Sequence, residues 1–102
     1  MKTEVFQKLL ERRIGKIQET LSSKAKEYAT EDQLHNFKVA ARLQNTNQAT
    51  ALWSMSTKHL VSVIDMVDGV QVPTKHKIDE KIGDLINYLI LLEAALIEEI
   101  SE

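Results

Sequence analysis

The 102-residue sequence predicts an all-α fold, a four-helix-type bundle subunit whose long C-terminal helix lies at an oligomer interface. Two observations carry this. One Pro and three Gly are too few for a many-turned β architecture. From Ile78 to Leu96, apolar residues recur in alternating steps of four and three, the spacing of a continuous helical seam. No internal repeat or low-complexity tract suggests another organisation, and the length fits a single domain over residues 1–102.

The first helix is expected from about Thr3 to Tyr28. Val5, Leu9, Ile14, Ile17 and Leu21 keep rough helical spacing, and Gly15 weakens the segment without ending it. A second, short helix is expected from near Thr30, where Thr30-Glu31-Asp32-Gln33 reads as a capping box, with Leu34, Phe37, Ala41 and Leu43 as its apolar positions. Asn45-Thr46-Asn47 punctuates the chain. A third helix follows from Gln48 to Val67, closed by Asp68-Gly69 with glycine at the usual C-terminal position. Val70 to Lys77 holds the only proline and reads as a loop. In the last helix Ile78, Ile82, Leu85, Leu89, Leu92 and Leu96 form the seam, and Ile86, Ile90, Leu91, Ile97 and Ile100 widen it. A helix apolar almost all round calls for cover on more than one side, and a second monomer is the expected cover in so small a chain.

Composition removes several functions. Apolar residues make up 43% and charged residues 27%, a globular balance. Thirteen basic against fifteen acidic residues give a net charge of −2, which argues against a broad nucleic-acid surface, although Lys75-His76-Lys77 is a local basic cluster. The absence of cysteine excludes disulfides, thiolate metal sites and thiol nucleophiles. No apolar run reaches the ~18 residues of a membrane span, and the charged N-terminus lacks a signal-peptide core. A cytoplasmic location is therefore the default expectation, in the bacterial host if the chain is phage-encoded. Walker, GxGxxG, HExxH and GxSxG motifs are all missing, and three scattered histidines do not make a zinc triad.

Three stretches carry candidate chemistry. On the last helix Glu80, Asp84, Asn87 and Leu91 share one stripe, roughly opposite Ile82. Two carboxylates one turn apart can share a hard cation such as Mg²⁺, with Asn87 adding an amide further along. The same acids also suit a solvated helix entrance near the positive end of the dipole. An amide within an apolar helix needs partners, either structural or ligand-borne. On the third helix Lys58 and His59 are candidates to hold phosphate oxygens, with Ser62 and Asp65 nearby; the competing reading is a solvated lysine beside a core histidine. In the stretch from Lys24 to Phe37, Tyr28 and Phe37 are placed to stack on a base, and His35 and Asn36 to read its polar edge. Equally, the two aromatics could pin a helix–helix turn.

The blocks KAKEYATEDQLHNFKVAARL, LWSMSTKHLVSVIDMV and IDEKIGDLINYLILLEA, in that order, resemble small phage and bacterial proteins related to the nucleotide-modification-associated domain of the first type. More remotely they resemble the all-α nucleoside triphosphate pyrophosphatases that include MazG and dimeric dUTPases. The likeness spans Lys24 to Ala95. It implies a helical subunit that forms dimers or tetramers and a nucleotide ligand held through Mg²⁺ on acidic helices. By that likeness Asp84 matches the aspartate of an ExxD-type motif. Lys81 stands where its glutamate belongs, with Glu80 one residue away as a substitute, and Lys58-His59 occupies the helix where the earlier acidic cluster would lie. Losing those carboxylates weakens a two-metal site.

The leading expectation is thus a phage-type nucleotide-metabolism protein that binds or hydrolyses a nucleoside phosphate. Glu80 and Asp84 would hold Mg²⁺, Lys58, His59 and Asp84 would act at the phosphates, and Tyr28, His35, Asn36, Phe37 and Asn87 would border the ligand. The alternative is a module without catalysis, either a nucleotide sponge or a host-directed protein-interaction module.

Overall fold

The computed structural model describes residues 1–27 and 32–101 and is all-helical: α1 is Thr3–Glu27, α2 His35–Leu43, α3 Gln48–Val67 and α4 Lys75–Ile100. It divides into two units, Met1–Glu31 and Asp32–Glu102.

The first unit is α1, 25 residues long with Glu4 in its first turn, where an acid complements the helix dipole. Val5, Phe6, Leu9, Leu10 and Ile14 are all exposed, at the spacing of one apolar side. Gly15 does not interrupt the helix.

In the second unit, α2 and α4 both pack on α3. Asp32 organises the approach to α2. Its carboxylate accepts from the Leu34 backbone N–H at 2.9 Å and from Lys38 Nζ at 2.6 Å. Lys38 also pairs with Glu98 of α4 at 2.6 Å. These bonds, first the one from Lys38, hold the Asp32 carboxyl below its usual range, and Asp32, then Glu98, raise the Lys38 ammonium above its own. The helix begins at His35, later than the expected start near Thr30. Leu34 sits at the cap and has no polar side-chain atom to bond, and the Asp32 carboxylate closes a turn before the helix instead. Thr30 and Glu31 lie outside the described residues.

Asn45 ends α2 in the left-handed region, with φ 54°. The Thr46 N–H reaches the Ala41 carbonyl at 2.9 Å and the Asn45 N–H reaches Arg42 at 3.2 Å, the paired bonds of a Schellman turn. Two residues later Asn47 caps α3, its Oδ1 accepting from the Thr50 N–H at 2.8 Å. Asn47→Ala should lower stability by about 1 kcal/mol, read as an earlier urea midpoint with an unchanged slope.

Helix α3 has the bounds expected from sequence. Gly69 follows its cap with φ 79°, a conformation that a side chain would strain. Thr74 then caps α4 by accepting from the Lys77 N–H at 3.1 Å, so Lys75, His76 and Lys77 form the first turn of the helix rather than the end of the loop.

Helices α3 and α4 run antiparallel: Gln48 meets Ala95 and Glu98 near one end, and His59 meets Asp84 further along. Ala51 and Ala95, both fully buried, allow close approach, and Leu52 fills the centre, also at 0% exposure. Leu34, Ala41 and Leu91 complete the buried apolar set. Gln48 is buried with them. Its Nε2 donates to the Ala95 carbonyl at 3.4 Å and to Glu98 at 3.5 Å, while its Oε1 has no hydrogen-bond partner among the described residues.

Helix α4 is two-sided. Gly83, Leu91 and Ala95 are its buried positions. Ile78, Leu89, Leu96, Ile97 and Ile100 are exposed. No helix among the described residues is long and apolar enough to cross a membrane.

Candidate functional site

The strongest convergence of polar and aromatic groups lies along the groove between α3 and α4. His59 on α3 faces Asp84 on α4, with Nδ1 to Oδ2 at 3.6 Å. That spacing is a contact beyond hydrogen-bond length. Tyr88, one turn beyond Asp84, stacks on the His59 ring with centroids 4.9 Å apart and planes 30° apart. Phe37 of α2 meets Tyr88 edge-on at 6.4 Å. The ladder Phe37–Tyr88–His59–Asp84 therefore joins all three helices of the unit. Its rings shelter the histidine, whose side chain is 15% exposed, while the carboxylate stays open to solvent at 42%.

Away from the α2 end, the groove widens into a cleft of about 370 Å³. Ser62 and Asp65 line it from α3, and His76, Lys77, Glu80 and Lys81 from α4. Helical geometry explains the set. Ser62 is three residues beyond His59 and Glu80 is four before Asp84, so both lie one turn along from the His59–Asp84 pair. Glu80 pairs with Lys81 at 3.0 Å and with His76 at 3.4 Å. The Lys81 bond chiefly, with His76 adding to it, lowers the Glu80 carboxyl below its usual range. Lys77 donates to the Gln71 carbonyl oxygen Oε1 at 3.4 Å, and Ser62 turns its hydroxyl back to the Lys58 carbonyl at 3.0 Å. The cleft thus presents two lysines, a histidine and a hydroxyl beside two carboxylates.

Asn87 lies among the inward positions of α4, one turn from Gly83 and from Leu91. Its Oδ1 is buried and has no hydrogen-bond partner among the described residues. An orphaned buried acceptor of this kind costs about 1–3 kcal/mol.

The other residues singled out from sequence are dispersed. Lys58 is exposed on α3, next to His59. His35 lines a different cleft of about 570 Å³, together with Lys38, Arg42, Gln48, Glu98 and Glu99. Asn36 is exposed on α2. Phe37 joins the ladder through Tyr88, and Tyr28 lies outside the described residues. The structure therefore brings His59, Asp84 and Phe37 together and puts Glu80 in the adjoining cleft, with His35 elsewhere.

Tyr88 is the member that sequence reasoning missed. Its position four residues after Asp84 was the available signal, but its partners come from two other helices. His76, Lys77 and Lys81 stood in the sequence as a local basic cluster and a replaced motif position, and only the α3–α4 pairing sets them opposite Ser62 and Asp65.

As to a metal, Glu80 is paired with Lys81 and Asp84 lies against His59, and no group of three His, Asp or Glu among the described residues is arranged to hold an ion. No protein-family model, curated protein or solved structure matches this chain.

Proposed function

We propose that the α3–α4 groove binds the phosphate end of a nucleoside phosphate, without a dedicated metal cage. The observation that carries this reading is the cleft in which Lys77, Lys81, His76 and Ser62 line a single space beside His59. Ammonium groups are donors that phosphate oxygens accept from. Glu80 and Asp65 in the same cleft would repel a bare anion, so the ligand enters with its charge part-neutralised by Mg²⁺ on its own phosphates. Glu80 and Asp65 are the carboxylates that line the cleft beside such an ion, with Asp84 one turn beyond Glu80. Binding takes precedence over hydrolysis in this reading, because activating water at two metals calls for more carboxylates than the groove supplies.

Calorimetric titration and thermal melting with a panel of nucleoside mono-, di- and triphosphates, each with and without Mg²⁺, test the proposal. A true ligand at a hundred times its Kd should stabilise the folded unit by about 2.7 kcal/mol. The double variant Lys77→Ala/Lys81→Ala should lose that shift while keeping its helical spectrum, since both ammonium groups sit at the surface. Equal stabilisation of wild type and double variant would remove the assigned cleft. No stabilisation by any nucleotide would remove the reading and favour a protein partner.

A further inference from the structure

The side of α4 turned away from its buried positions carries the most regular pattern in the chain, half-buried at Ile82, Leu85 and Leu92 and exposed at Ile78, Leu89 and Leu96. Ile78, Ile82, Leu85, Leu89, Leu92 and Leu96 step by four, three, four, three and four. This is the a/d spacing of a coiled coil. The seam does not point at α3. At 100° per residue it is centred well away from Gly83, Leu91 and Ala95, the positions buried within the unit. Ile78, Leu89 and Leu96 are 46%, 45% and 48% exposed, and Ile100 beyond them is 85% exposed. An apolar stripe running along a helix of 26 residues, about 39 Å, exceeds what single exposed residues on a soluble surface account for.

We propose that this seam pairs with the same seam of a second copy of the chain, α4 against α4, in antiparallel orientation. The spacing is self-complementary about a two-fold axis at Asn87. Ile78 then opposes Leu96 of the second copy, Ile82 opposes Leu92 and Leu85 opposes Leu89, so that each seam residue meets an apolar partner and none is left over. Charge sets the direction. The end of α4 carries Glu93 and Glu99 with no basic residue of its own, Glu98 being paired with Lys38, whereas its start carries Lys75, Lys77 and Lys81 among its acids. A parallel pair would place the acidic ends side by side. The antiparallel pair sets each against the start of its partner, with Lys75 facing Glu99, and opposes the two helix dipoles. One flank remains unfavourable: Asp79 falls beside Glu93 of the second copy, like charges at equivalent positions.

That blemish supplies a test of orientation as well as of existence. Sedimentation equilibrium of the full chain should show a monomer–dimer equilibrium. Leu89→Asp should weaken dimerisation by about 100-fold or more, with helical content retained because Leu89 is outside the core. Glu93→Lys should tighten it by meeting Asp79 across the flank, which a parallel pair does not predict. The chain has no cysteine, so single cysteines report geometry directly. Mixing Ile78→Cys with Leu96→Cys should yield an oxidised heterodimer, and Leu96→Cys alone should not cross-link. A chain that stays monomeric throughout, a dimer indifferent to Leu89→Asp, or self-cross-linking of Leu96→Cys would each overturn the proposal.

Discussion

Leu52→Ala should destabilise the unit formed by residues 32–102 by about 3 kcal/mol. Leu52 is fully buried, where Ala51 on α3 and Ala95 on α4 are also fully buried. Small residues cannot swing into the space that a missing isobutyl group leaves, so the cavity stays open and its lining loses dispersion contacts as well as transfer energy. A unit of this size has little in reserve, and the melting temperature should fall on the order of 15 °C. Chemical and thermal melts followed by circular dichroism measure it. A loss below about 1 kcal/mol would mean that α3 and α4 close over the gap and that the packing is looser than the burial implies.

Asn87→Leu should move stability in the opposite direction, upward by about 1–2 kcal/mol. Leucine has nearly the branching of asparagine without its polar atoms, and the Asn87 Oδ1 is buried with no hydrogen-bond partner among the described residues. Removing an acceptor that has lost water and gained nothing takes away a cost while the shape is kept. The same substitution should abolish the nucleotide-induced rise in melting temperature if the amide serves the ligand. A more stable protein that no longer responds to ligand would be the mark of strain retained for binding. A less stable one would show that the amide is satisfied in solution by a water or a neighbour, and would detach Asn87 from the site.

The sequence was most readable where local chemistry acts alone. Helix α3 runs from Gln48 to Val67 as its spacing and its punctuation indicate, because Asn47 caps one end and Asp68-Gly69 closes the other within a few residues. It was less readable where polar residues begin a helix. Lys75-His76-Lys77 has no apolar period to betray it, yet Thr74 starts the helix there. The stripe of Glu80, Asp84, Asn87 and Leu91 had a legible gradient, open at its acidic start and buried at Leu91. Illegible was the choice of which apolar side of α4 turns inward. Gly83 and Ala95 are weakly apolar and easily overlooked, yet their smallness lets α3 approach, while the conspicuous Ile78, Leu89, Leu96 and Ile97 are exposed. The grouping at the site was hidden for a related reason. His59, Asp84, Tyr88 and Phe37 come from three helices, and no spacing within one helix encodes their meeting.

The two ends of the α3–α4 hairpin are fastened differently. At one end Gln48 reaches Ala95 and Glu98, the Ala49 N–H bonds Glu99 at 3.2 Å, and Lys38 bridges Asp32 to Glu98. At the other, an exposed loop over residues 68–74 links the helices. Transient fraying should therefore begin at the loop and run toward the clasp, so that amide protons near Val67 and Ile78 trade with deuterium sooner than those near Leu52 and Leu91. The cleft lined by His76 and Lys77 sits at that loosely fastened end, so its walls should open more readily than the pinned opposite pole.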